Sequence, residues 1–240
     1  MDTSTNSVSD SRVIVALDYP NAKTAMMLVD KLDPGLCKLK VGKELFTAEG
    51  PGFIRDLVKK NFQVFLDLKF HDIPNTVASA CAVAADLGVW MMNVHASGGR
   101  KMMETASNRL AQFNDRPLLI AVTILTSLGE QDIHEVGYSG SPEDNVINLA
   151  ALADSSGMDG IVCSPLEAGP VRARVREDFL LVTPGVRPSF AATDDQKRIM
   201  TPSDALNAGS SYLVIGRPIT AAEDPMKNLQ RINDEIAALN

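Results

Sequence analysis

Cysteine is scarce: Cys37, Cys81 and Cys163 are the only three in 240 residues, widely separated and without a C-x-x-C pair. That gives no disulfide or zinc framework, suits a reducing compartment, and leaves small buried hydrophobes as the expected role of these side chains. No apolar run is long enough to span a bilayer, and the opening stretch Met1 to Asp10 has neither the basic region nor the apolar core of a signal peptide. It reads as a flexible tail (1–10) ahead of a single domain (11–240), with a cytoplasmic address. Positive charge is not in excess either: 30 acidic against 23 basic residues leave a formal net charge of −7. A nucleic-acid surface or an anionic-membrane face is thereby disfavoured, and an anionic ligand has to be held by a few local cations in a pocket. His71, His95 and His134 lack metal-site spacing, Ser97-Gly98-Gly99 is not a G-x-G-x-x-G dinucleotide fingerprint, and no internal repeat or low-complexity tract interrupts the chain.

What is present is a regular beat of short β-rich runs and longer amphipathic ones. The strand-like runs fall at 13–17, 36–41, 62–66 continuing into Asp67, 89–94, 118–125, 160–163, 179–183 and 212–215. Helical patterns follow at 22–32, after Gly42 through Val58, at 76–87, 100–113 and 146–154, with a long polar loop before the last and a turn at 138–142. Eight such units in a chain near the usual size of about 250 residues predict an α/β fold of the (β/α)₈ TIM-barrel type, with a doubly wound sheet as the alternative.

The third run ends in Asp67-Leu68-Lys69-Phe70-His71-Asp72-Ile73-Pro74-Asn75-Thr76. On a strand Asp67 and Lys69 share one face, while Leu66, Leu68 and Phe70 share the other. Asp-x-Lys alone is common as a structural ion pair. Asp72 just beyond changes the balance, because two carboxylates around a lysine favour its charged form and make an acid–base array. In a barrel the catalytic face is where strands end, and Asp18, Lys40, Asp67, Lys69 and Thr126 all fall at or near such ends. Asp18, Asp67 and Asp72 could hold Mg²⁺, but Lys40 and Lys69 beside them already neutralise those carboxylates and oppose a divalent ion.

Two glycine–arginine elements come late, Pro184-Gly185-Val186-Arg187 and Gly216-Arg217-Pro218. The loops after strands seven and eight are where barrels often hold phosphate: glycine lets backbone N–H groups approach the anion and arginine adds a bidentate fork. Either pair alone reads as a turn with a solvated side chain; both in those loops point to a phosphate. Residues 188–196 show no clear period, and a loop of that length beside a phosphate site reads as a lid with Gln196 as its polar finger.

With these residues assembled, the chain resembles the orotidine 5′-phosphate decarboxylase family from Val13 to its end. The likeness is carried by the Asp67–Thr76 stretch, Ala16-Leu17-Asp18, Lys40-Val41-Gly42, Pro184-Gly185-Val186-Arg187 and Ile215-Gly216-Arg217-Pro218. The resemblance implies conversion of OMP to UMP and CO₂, the last step of de novo UMP synthesis, by a homodimer that needs no cofactor and no metal. It implies Lys40, Asp67, Lys69 and Asp72 as an alternating charge array, with Lys69 protonating the C6 carbanion. Asp18 and Lys40 would hold the ribose, and Thr126 and Ser127 would lie near the pyrimidine. Gln196, Gly216 and Arg217 would hold the phosphate, with Arg187 and Ile73 in the ligand-binding set. Asp72 and Thr76 would reach across from the partner subunit. Two other readings stay open at this point, a Mg²⁺-dependent sugar-phosphate decarboxylase of the same suprafamily and a barrel that binds a nucleotide without turning it over.

Overall fold

The computed structural model describes residues 11–191 and 200–239, so the tail expected for 1–10 and the residue Gln196 lie outside the described residues. The chain alternates strands and helices: β1 (Val13–Leu17), α1 (Ala22–Val29), β2 (Lys38–Gly42), α2 (Lys43–Lys59), β3 (Val64–Phe70), α3 (Pro74–Ala85), β4 (Met91–His95), α4 (Arg100–Leu110) and β5 (Leu118–Val122). It continues through α5 (Glu130–Glu135), α6 (Pro142–Ser155), β6 (Gly160–Val162), α7 (Ala168–Arg172), β7 (Leu180–Pro184), α8 (Pro202–Asn207), β8 (Tyr212–Ile215), α9 (Arg217–Thr220) and α10 (Pro225–Ala237). The strands are parallel and pair in sequence order, and β8 closes on β1 through Ile14 opposite Val214. Closure settles the architecture as an eight-stranded barrel rather than an open doubly wound sheet.

Alternation along each strand sorts the side chains into two cores. Val13, Val15 and Leu17 of β1, with Leu39 and Val41 of β2, face outward and pack under the helices. Ile14, Phe65, Met91, Ile120 and Val182 point inward and fill the axis. Lys38, only 2% exposed, occupies the end where strands begin. Its ammonium donates to the Ser11 carbonyl at 2.8 Å and sits 4.8 Å and 5.2 Å from the ring centres of Trp90 and Tyr212. A carbonyl and two π faces offset the cost of taking that charge out of water. Cys37, Cys81 and Cys163 are buried, and burial pushes the thiols of Cys37 and Cys81 up to about 12.

Three local expectations need correction. The strand expected to run to Leu125 stops at Val122: the Thr123 N–H and hydroxyl both donate to the Val162 carbonyl, at 3.5 Å and 3.0 Å, and no register partner follows. The polar loop after it contains the short helix α5. The turn expected at 138–142 is partly a helix start: Ser141 accepts from the Asp144 N–H, the Asp144 carboxylate takes the Ser141 N–H, and Pro142 is the first helical residue of α6. Among the described residues no helix is long and apolar enough to cross a membrane.

Strands β6 and β7 approach so closely that a Cβ at Gly160 would lie 2.2 Å from the Leu180 carbonyl oxygen. Gly160→Ala is expected to cost about 1–3 kcal/mol of stability, the usual scale for overpacking a core. Denaturant unfolding at unchanged m-value measures it, and a variant as stable as the parent would contradict the close approach.

Candidate active site

A cavity of about 400 Å³ opens at the ends of the strands. Its floor is apolar, from Ala16, Phe65, Val122 and Val214, and its wall carries Asp18, Lys40, Asp67 and Lys69. The charges alternate in space. Lys40 Nζ lies 3.2 Å from Asp18 and 3.4 Å from Asp67, and Lys69 Nζ lies 2.5 Å from the other oxygen of Asp67. Asp67 thus bridges two lysines with only 13% of its side chain exposed. Burial alone would raise its carboxyl, but the ammonium groups of Lys40 and Lys69 and hydrogen bonds from Lys69 and Asn93 hold it below the usual carboxylate range.

The backbone that delivers Lys69 is unusual. Strand β3 pairs with β4 through Phe65–Met91 and Leu66–Met92, then shifts register so that Phe70 meets Val94. Within this bulge Lys69 adopts φ 54°, a left-handed conformation that L side chains rarely take. Asp67 and Lys69 still reach the same cavity as the alternation predicts, while Leu68 and Phe70 pack outward.

The opposite wall comes from the last strands. Pro184, Gly185 and Arg187 follow β7, and Gly216 and Arg217 follow β8. Gly185 has φ 81°, which permits the chain to turn sharply at the strand end. Arg187 is buried with Nη1 on the Val186 carbonyl at 3.1 Å, and Arg217 is exposed as the first residue of α9. The two glycine–arginine elements therefore line one side of the cavity that Lys69 enters from the other.

Of the residues singled out from the sequence, Asp18, Lys40, Asp67, Lys69, Thr126, Arg187, Gly216 and Arg217 all line this cavity. Ser127 is exposed and is not part of the lining. Asp72, Ile73 and Thr76 sit outside it at the start of α3, all exposed, with the Asp72 carboxylate accepting the Ile73 N–H at 2.6 Å. Within one chain, among the described residues, Asp72 makes no ion pair with Lys69. Among the described residues no three His, Cys, Asp or Glu side chains converge as a metal site.

Two groups at the site escaped the sequence reading. Asn93, fully buried on β4, touches both Asp67 and Lys69. His95, two residues on, stacks obliquely on His71 at 5.4 Å between ring centres. Burial, then His71, Lys43 and Lys69, pull the His95 imidazole below the ordinary histidine value, with Asp67 opposing. The spacing Met91-Asn93-His95 was a usable signal, since a polar side chain on the inward period of a buried parallel strand needs a partner there.

Residues 11–232 match the family model described as Orotidine 5′-phosphate decarboxylase / HUMPS family. The orotidine 5′-phosphate decarboxylase of Nitrosococcus oceani is 56% identical over 227 residues, covering 95% of this chain and 98% of that one. That of Aliivibrio fischeri is 55% identical over 233 residues, covering 97% and 100%. Among solved structures, the orotidine 5′-phosphate decarboxylase of Lactobacillus acidophilus superposes with a TM-score of 0.85 at 39% identity, over 94% of this chain and 99% of that one. The enzyme from Pyrococcus horikoshii OT3, at 22% identity and TM-score 0.76, shares the fold.

Proposed function

Because the chain belongs to the orotidine 5′-phosphate decarboxylase family and is a carboxy-lyase, we propose that its strand-end cavity converts OMP to UMP and CO₂ with Lys69 as the proton donor. The observation that carries this reading is Asp67 held between Lys40 and Lys69 in the same cavity as Gly216 and Arg217. Cleavage of the C6–carboxylate bond leaves its electron pair on C6 as an sp² carbanion, which no neighbouring carbonyl delocalises. A preplaced cation is the available stabiliser, and the Lys69 ammonium, fixed on Asp67, then gives its proton to C6. In one chain Asp18, Lys40, Asp67 and Lys69 balance to zero charge.

At the far end Arg217, with the N–H groups around Gly216, would grip the phosphate, joined by Arg187 and Gln196. Asp18 and Lys40 would take the ribose hydroxyls, and Thr126 and Ser127 the pyrimidine. Binding energy gathered at the phosphate, remote from C6, can be spent on organising the reacting end. We further propose a homodimer that completes the array. Asp72 and Thr76 lie outside their own cavity, exposed at the start of α3 beside Ile73 at 67% exposure, a surface that suits a second copy presenting Asp72 to the neighbour's Lys69.

The test is OMP absorbance with and without EDTA. Turnover is expected to be the same in both. Activity lost to EDTA and restored by Mg²⁺ would favour the metal-dependent sugar-phosphate branch, and UMP binding without turnover would favour a binding barrel.

A further inference from the structure

We infer that Asn93 is a positioning residue of this reaction, its one amide joining the Lys69 backbone to the Asp67 carboxylate. The inference rests on the array proposed above. Between Leu66 and Phe70 strand β3 runs four residues while β4 advances only from Met92 to Val94, so Asp67, Leu68 and Lys69 have no register partners on β4. A buried N–H left without an acceptor is costly. Asn93 Oδ1 takes the Lys69 N–H at 2.7 Å, standing in for the ladder carbonyl that the bulge removed.

The other end of the same amide does a second job. Asn93 Nδ2 donates at 2.8 Å to Asp67 Oδ1, the very oxygen that receives Lys69 Nζ. Only one orientation of the amide satisfies both contacts, since the N–H of Lys69 needs an oxygen and the carboxylate needs a donor. Asn93 is 0% exposed and lies on the inward face directly above Met91, so the barrel holds it rigidly. Lys69 keeps its left-handed φ of 54° with this acceptor in place. Apolar residues would strand the Lys69 N–H, and aspartate would set a second carboxylate against Asp67. An asparagine is what the position requires.

The test uses the full-length protein, reading kcat and KM for OMP across pH, UMP affinity and thermal unfolding. Asn93→Ala is expected to lower kcat about 100-fold, the scale of a small misplacement of a catalytic group. KM and UMP affinity should stay within about threefold, because the phosphate and ribose contacts are untouched. The acid limb of kcat should move to higher pH, since Asp67 loses a donor that keeps its carboxyl low. Asn93→Asp, close to isosteric, serves if the alanine variant fails to fold. Its carboxyl can act as both acceptor and donor only when protonated, so its activity should be partly recovered on the acid side and fall as pH rises. Either variant with the parent's kcat and pH profile would overturn the inference. Lys69→Ala, measured alongside, separates the two layers: an active Lys69→Ala removes the array itself, whereas an inactive Lys69→Ala beside parental Asn93 variants removes only the role of Asn93.

Discussion

Lys69→Ala is expected to reduce kcat by at least about 10⁴-fold while UMP affinity stays within about tenfold of the parent. A positioned proton donor is worth about 10²–10⁴ in rate, and a preorganised charge at the site of developing negative charge about 10²–10³. On the proposed mechanism the lysine supplies both. At 1.36 kcal/mol per decade, 10⁴ corresponds to about 5.4 kcal/mol of transition-state stabilisation. On the proposed site, product binding would draw on Arg217, Gly216 and Asp18, which line other parts of the cavity, so it should survive. The fold should survive too, because Asp67 keeps Lys40 at 3.4 Å and the Asn93 donor at 2.8 Å after the ammonium is gone. Single-turnover decay of OMP gives the rate, and calorimetric titration with UMP gives the affinity. A variant with near-parental kcat would remove Lys69 from the chemistry, and loss of UMP binding in step with kcat would make it a binding residue.

The second large effect is a recovery. On the proposed dimer, the Lys69→Ala and Asp72→Ala variants are each expected to be nearly inactive, the first for the reason just given and the second because Asp72 would be missing from both pockets. When their subunits exchange, one pocket of each mixed dimer combines an intact Lys69 from one chain with an intact Asp72 from the other, while its second pocket collects both defects. Random exchange of equal amounts makes about half of the dimers mixed, so activity should return to roughly a quarter of the parental value. The geometry behind this is the position of Asp72: exposed, bonded to the Ile73 N–H, and outside the cavity of its own chain. Were Asp72 to serve its own subunit, every pocket would retain one lesion and mixing would restore nothing. Exchange confirmed by mass without any recovery would end the shared-site proposal.

Much of the barrel is legible in the sequence because its strands are dense in Val, Ile and Leu and its helices carry the complementary period. Asp18, Lys40, Asp67 and Lys69 interrupt that pattern toward the strand ends, which is why they stand out without any coordinates, whereas Lys38 breaks it at a strand's start. The glycine–arginine elements are legible for a similar reason, since glycine followed by a cation at a strand end has few structural uses. What stays hidden depends on pairing between strands. Nothing local to Lys69 announces a left-handed φ; it follows from a register shift against β4. Asn93 is separated from its two partners by 24 and 26 residues, and only closure of β3 onto β4 shows that it serves both. The end of β5 is hidden likewise, because Thr123, Ile124 and Leu125 read as a continuing strand and only the pairing with β6, whose last register partner is Val162, marks where it stops. The start of α6 was readable, with Ser141, Pro142 and Asp144 forming a cap, but Gly140 beside them gives the same stretch the look of a turn.

Lys38, seated over the edge-to-face pair of Trp90 and Tyr212, stoppers the barrel at the end where its strands begin. Among the described residues the cavity is therefore a cup, closed at that end and open at the strand-end rim. On the proposed chemistry, OMP arrives and both UMP and CO₂ depart through the same rim, so no product can drain away beneath the incoming substrate. A nucleotide still seated in the cup excludes the next one completely. On that reading UMP and OMP compete for the same space, so inhibition by product is expected to be competitive with substrate.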